Sequence, residues 1–151
     1  MGKVYNILTV EDSEPDFILL KKALLRMQEL TVVIENVTNG QEAIDYVFKN
    51  GKYATAATPD LIILDLNLPI KNGMDVLKTI KSDQFKKLIP IVVYTTSEEM
   101  SDINCSYSLY ANSYITKSSE IKDIYQKIST MGEFWLKTSQ LPNIDHSCPI
   151  I

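Results

Sequence analysis

Four apolar runs in this 151-residue chain end on side chains able to do chemistry together. "YNILTVEDSEPD" stops at two adjacent acids, Glu11 and Asp12; "LIILDL" reaches Asp65; "IPIVVYTTS" reaches Thr95 and Thr96; "SYITK" reaches Lys117. If the runs are parallel neighbours in a sheet, these groups crowd one rim, where open α/β sheets bind their ligands. Carboxylates gathered there repel and raise one another's pKa unless a cation intervenes. Mg²⁺, which takes oxygen from a few carboxylates and keeps several waters, answers that need. Asp65, rigid in its backbone and exposed at a loop, can then attack phosphorus and form an aspartyl-phosphate. Such a transfer demands positioning and charge stabilisation, with the ion, Lys117 and Thr95 each taking a phosphoryl oxygen. The plainer reading of the first acids is that Asp12 or Ser13 only caps the next helix.

Those roles need elements that hold the residues in place. "SEPDFILLKKALLRM" reads as a helix with Ser13 as cap, Glu14 and Asp16 in an acidic first turn and Pro15 where a missing N–H costs little. It is apolar around much of its circumference, which predicts burial on more than one side. "LTVVIENV" is strand-like. A second helix opens at Asn39 and closes at Gly51, with Ala43, Ile44, Val47 and Phe48 on one stripe. "NGMDVLKTIKSD" gives a third, Asp102 to Ala111 a short tyrosine-rich fourth, and "SSEIKDIYQKISTMGEFWL" a fifth with Ile121, Ile124, Tyr125, Ile128, Met131 and Trp135 aligned. Strands alternating with helices predict an α/β fold, a doubly wound five-stranded parallel sheet covered on both faces.

The chain length suits one domain. A net charge of −4 argues against a surface that neutralises phosphate backbones, and Lys71, Lys78, Lys81, Lys86 and Lys87 read as a solvated face. No nucleic-acid partner is expected. No run is long and apolar enough for a membrane span, and no leader sequence is evident, so a cytoplasmic location is expected. Cys105 and Cys148 lack zinc-site spacing. Cys105 reads as a small buried hydrophobe, and His146 as a tail residue.

"VEDSEPD", "ILDLNLPIKNGMDVL", "IPIVVYTTS" and "YITKS", in this order and spacing, resemble the receiver domain of two-component response regulators, from about Tyr5 to Trp135. The resemblance implies a flavodoxin-like strand order of 2-1-3-4-5, a receiver domain over residues 1–137 and a tail over 138–151. It implies that Asp65 accepts a phosphoryl group from a histidine kinase, with Thr95 and Lys117 assisting. Asp12 and Asp65 would bind Mg²⁺ directly, Glu11 through water and Asn67 through its backbone carbonyl. Asn67 and Ser97 would tune the phosphoryl lifetime. Thr95 and Tyr114 would form the switch, although Tyr114 also fits plain strand alternation. The closing "EFWL" with "LP", the loop before the third strand and "TTS" are similar to the small single-domain regulators paired with cyanobacterial phytochromes.

Three features depart from the family. Glu11 stands where Asp is commoner, Ser118 where many receivers carry proline, and Thr96 where the residue beside the phosphate is usually small. With no output domain in view, output is expected through a binding surface: a homodimer through the last two helices, where the fourth carries Tyr107 and Tyr110 beside Ile103 and the last carries Phe134 and Trp135, with Ile103 and Ile128 read as core. The residues from Thr138 to Ile151 are read as disordered or as an arm on a partner. On this reading the chain is no enzyme beyond its own phosphorylation and dephosphorylation. The competing reading is a Mg²⁺ phosphohydrolase of the haloacid-dehalogenase kind, which needs an acid two residues after the nucleophile, where this chain has Asn67. A flavin or nucleotide binder would want a glycine-rich loop where "EDSEPD" stands.

Overall fold

The computed structural model describes residues 2–151. The apolar and β-branched runs form β1 (Val4–Val10), β2 (Thr31–Val37), β3 (Leu61–Leu64), β4 (Ile91–Thr95) and β5 (Ser113–Thr116). All pair in parallel, in the order β2-β1-β3-β4-β5. Between them run α1 (Glu14–Leu25), α2 (Gly40–Phe48), α3 (Gly73–Lys81) and α4 (Met100–Ser108), with α5 (Ile121–Glu133) after β5. A π-helical turn, Phe134–Thr138, continues α5. Every residue of β3 and β4 is buried, the expected result when helices cover both faces of a parallel sheet.

Alternation along the strands sorts side chains into two cores. Ile7, Leu61, Ile63 and Tyr94 point toward α1 and α5, meeting Leu24 and Ile128. Leu8, Val10, Leu64 and Val93 point to the opposite face, meeting Val47 and Leu77 of α2 and α3. Ser13, Asn39 and Asn72 cap α1, α2 and α3, each side-chain oxygen accepting from the backbone N–H of the third residue on. Each such cap contributes about 1 kcal/mol.

Several expectations are corrected. Helix α1 buries one stripe, Leu20, Ala23 and Leu24, and leaves Ile18 and Leu25 exposed, because a helix lying on a sheet shelters only one side. Helix α4 starts earlier than expected and stops at Ser108, since Leu109 leaves helical geometry and Tyr110 adopts φ 70°. Its buried residue is Ser106, so Cys105, one residue back on the helical circuit, is exposed rather than core, and Ile103 is half-buried. On α5, Ile128 is core as expected, but Ile121 in the first turn is exposed.

Lys81 does not join a solvated face. Its Nζ donates to the carbonyls of Lys87 and Ile89 and to Asn112 Oδ1, at 2.8, 2.9 and 3.0 Å. The tail touches the domain through two apolar side chains. Leu141 packs on the core beneath α1 and α5, and Ile144 on the core beneath α2 and α3.

One close approach seats the middle of the sheet's rim. The Gly73 N–H donates to the Leu66 carbonyl at 2.9 Å, drawing the start of α3 onto the chain that leaves β3. A Cβ at Gly73 would lie 2.4 Å from the Asp65 carbonyl oxygen and 2.6 Å from Leu66 Cα. Both atoms are backbone, so relief requires the start of α3 and the chain leaving β3 to move apart. Gly73→Ala is expected to lower unfolding free energy by roughly 1–3 kcal/mol in urea titrations. Unchanged stability would show that this contact does not constrain Asp65.

Candidate functional site

Glu11, Asp65, Thr95 and Lys117 each lie at or one step beyond a strand, where the sheet's hydrogen bonding still holds the backbone. The Glu11 N–H donates to the Val37 carbonyl, Asp65 to Val10 and Lys117 to Thr95, at 3.0, 3.1 and 2.7 Å. Val10 pairs with Leu64, so Glu11 and Asp65 leave adjacent strands side by side. Strand alternation decides the rest. Glu11, Asp65 and Lys117 continue the series that contain Ile7, Ile63 and Ile115, so they share the α1/α5 face. Thr95 follows Val93 and belongs to the other face.

The rim therefore carries a charged cluster on one face of the sheet and a hydroxyl on the other. Lys117 Nζ donates to Glu11 Oε1 at 2.5 Å, Asp16 Oδ2 at 2.9 Å and Asp65 Oδ2 at 3.0 Å. Its side chain is 7% exposed, and the ammonium lies 5.6 Å from the centroid of the Tyr94 ring. The second oxygens are also engaged: Glu11 Oε2 accepts from the Ser13 N–H and Asp65 Oδ1 from the Asn67 N–H. Asp12 is exposed beside them, whereas Asp65, expected to be exposed at its loop, is buried. Carboxylate oxygens of Glu11, Asp12 and Asp65 lie within 4.8 Å of one another, close enough to share one cation. A donor set of oxygens only suits a hard divalent ion.

The electrostatics reflect burial. Desolvation pushes Glu11 up from 4.5 to about 7, opposed by the Lys117 hydrogen bond and reinforced by the charge of Asp65. Burial also works against the Lys117 charge, but hydrogen bonds to Asp16 and Glu11 and the fields of Asp65 and Glu11 outweigh it and hold the ammonium above the usual lysine range. Three carboxylates meet one ammonium and a fourth, Asp12, converges with two of them, so acids outnumber the positive charge in the pocket.

Thr95 Oγ1 is buried and has no hydrogen-bond partner among the described residues. Such a hydroxyl carries a desolvation cost until an acceptor reaches it. The Tyr114 hydroxyl donates to the Ser97 carbonyl at 2.9 Å, tying the aromatic to the loop after Thr95. Ser97 Oγ donates to Asp102 Oδ2 at 2.6 Å, so this hydroxyl is engaged with the first turn of α4. Asn67 and Thr96 are exposed at the rim. Asp16 is the residue whose role the sequence did not disclose. It was legible only as a first-turn acid, yet it stands at the third helical position, where a side chain reaches back toward the strand end.

Comparison with known proteins agrees with this geometry. Residues 7–129 match the family model described as response regulator receiver domain. Response regulator Rcp1 of Synechocystis sp. is 39% identical over 136 residues, covering 90% of this chain and 92% of Rcp1. The crystal structure of the phosphorylated cyanobacterial phytochrome response regulator RcpA superposes with a TM-score of 0.87 at 44% identity, over 93% of this chain and all of that one. The Mn²⁺-bound form of Rcp1 gives 0.87 at 38% identity, over 92% and 99%. The fold and the cluster of acids, lysine and hydroxyl define a phosphorelay receiver. The chain belongs to the response regulator receiver domain family. The haloacid-dehalogenase alternative is set aside: the match is to receivers, and Asn67 occupies the place of the second acid.

Burial of Glu11 has a consequence for metal-free protein. Between 4.5 and about 7 the unfolded chain ionises this carboxyl while the folded chain holds its proton. Folded stability therefore declines as pH rises through that window and levels off above it. In chelator, urea midpoints of wild type are expected to show this decline and those of Glu11→Gln to lack it. Parallel pH profiles for the two proteins would refute the assignment.

Proposed function

We propose that this response regulator is a Mg²⁺-dependent phosphoacceptor at Asp65, charged by a histidine kinase and signalling through altered protein–protein contacts. The observation that carries the reading is the setting of Asp65: one carboxylate oxygen 3.0 Å from Lys117 Nζ, on the strand next to the one ending at Thr95, whose buried hydroxyl has no partner among the described residues. Glu11, Asp12, Asp65 and the Asn67 carbonyl would hold the ion. When bound, it supplies positive charge against the phosphoryl oxygens. An Asp65 oxygen forms the new P–O bond as the P–N bond of phosphohistidine breaks, and the electron pair leaves with the imidazole nitrogen, which takes a proton. Lys117 stabilises a phosphoryl oxygen, and Thr95 donates its hydroxyl to another. Hydrolysis of the acyl phosphate returns the carboxylate, with Asn67 and Ser97 flanking the water. No external metabolite is turned over.

Switching follows from the Thr95 movement. Once its hydroxyl bonds the phosphoryl group, the loop from Thr96 to Glu99 shifts, and the Ser97 carbonyl that holds Tyr114 shifts with it. The two states then differ in contacts as well as charge, as a ligand-driven switch requires. A phytochrome-type photoreceptor kinase is the proposed donor, supported by the extent of the likeness to RcpA. That partnership implies a cytoplasmic location; among the described residues no helix is long and apolar enough to cross a membrane. Residues 1–137 would act as the receiver unit, with residues 138–151 bracing it from below.

Output is proposed through a homodimer on the α4 and α5 side. Tyr107, Tyr110 and Phe134 are exposed there, and a groove of about 620 Å³ runs between the free edge of β5 and α5, lined by Tyr114, Ile115, Met131 and Trp135. An isologous pairing would cover both the edge and the aromatics.

Asp65→Asn is expected to reduce labelling by acetyl phosphate and Mg²⁺ to background, read on phosphate-affinity gels. Labelling at the wild-type level would overturn the assignment of Asp65. Sedimentation at roughly tens of micromolar, with and without an acyl-phosphate mimic, is expected to detect a dimer that Tyr110→Asp weakens by roughly tenfold or more. A monomer under both conditions would end the dimer proposal.

A further inference from the structure

We infer that Asp16 is a positioning residue for Lys117: it offers the ammonium a partner outside the metal-binding carboxylates, so that a divalent ion can engage Glu11 and Asp65 without stranding a buried positive charge. The inference rests on the metal site proposed above. Lys117 Nζ has three carboxylate partners, Glu11, Asp65 and Asp16. Two of these belong to the trio of Glu11, Asp12 and Asp65 whose oxygens converge. The ammonium and a divalent ion therefore compete for the charge of the same two side chains. Each of their oxygens already accepts a hydrogen bond from Lys117 or from a backbone N–H, so an ion would share them with these donors.

Lys117 cannot yield by retreating into water, because its side chain is 7% exposed. A buried charge left without a partner costs several-fold more than a lost surface pair. Asp16 removes that difficulty. Its carboxylate lies 2.9 Å from Lys117 Nζ on the first turn of α1, it lies outside the converging trio, and at 40% exposure solvent shares the cost of its own charge. Its backbone N–H, held by Ser13 Oγ, keeps the turn in place. Asp12, by contrast, makes no ion pair among the described residues and is left to the ion.

The test is a double-mutant cycle read by calorimetric Mg²⁺ titration of wild type, Asp16→Asn, Lys117→Met and the double variant, with Lys117→Gln as replacement should Lys117→Met fail to fold. Asp16→Asn is expected to weaken Mg²⁺ binding by roughly fivefold or more when Lys117 is present and by less than roughly twofold when it is not. Asp16→Glu is expected to restore affinity. Equal losses in both backgrounds would show that Asp16 acts on the ion by its own charge, and no loss in either would show that it does not act at all; both overturn the inference. Absence of Mg²⁺ uptake by wild type would remove the metal site and this inference together, a result distinct from uptake without Lys117-dependent loss.

Discussion

Lys117 carries its ammonium into a nearly dry corner where Glu11, Asp16 and Asp65 converge. The contact is intrinsically two-sided. Removing the cation leaves carboxylates repelling in a medium of low polarity, and removing the acids leaves an ammonium with nowhere to go. A cluster of this kind is a poor source of net stability, because desolvation consumes much of the Coulomb gain. Its value lies in restricting what can replace it. Only a species rich in positive charge can displace the ammonium from Glu11 and Asp65, and only one rich in negative oxygen can give that ammonium and the Thr95 hydroxyl a new partner.

The sheet makes the cluster unavoidable. Parallel pairing brings the carboxyl ends of β1, β3, β4 and β5 to one rim, and ladder hydrogen bonds extend one residue past the strands to fix Glu11, Asp65 and Lys117. Adjacent strands lie about 5 Å apart, so acids leaving β1 and β3 side by side must interact. The fully buried apolar strands beneath hold the rim rigid, since a shift in register would turn each of these side chains to the other face. Gly73 completes the seat by letting α3 press on the backbone of Asp65.

Much of this was legible before any coordinates. Apolar runs ending abruptly on charge marked the strands and their functional ends. Ser13 and Asn39 marked helix starts through the hydrogen bonds their short side chains make. The failures share a cause. Cys105, Ile18 and Leu25 are apolar residues whose burial depends on which helical face meets the sheet, and a short or broadly apolar helix carries too weak a stripe to say. Lys81 was hidden because its acceptors come from Lys87, Ile89 and Asn112, the last of them 31 residues away. The packing of Leu141 and Ile144 could not be read from a segment rich in turn residues.

Residue types and local order were determined by the sequence alone: which segments are strands, which side chains end them, and hence that acids, a hydroxyl and a lysine are presented at one edge. These follow from interactions between near neighbours, such as alternation, helical periodicity and capping. Pairings across the fold were decided by the tertiary structure. Asp16 reaches Lys117 across 101 residues of chain, Tyr114 is tied to the Ser97 carbonyl rather than free in its strand, and the Thr95 hydroxyl is buried with no partner among the described residues. Such facts arise only when helices dock on the sheet, exclude water and leave particular polar atoms facing one another at bonding distance.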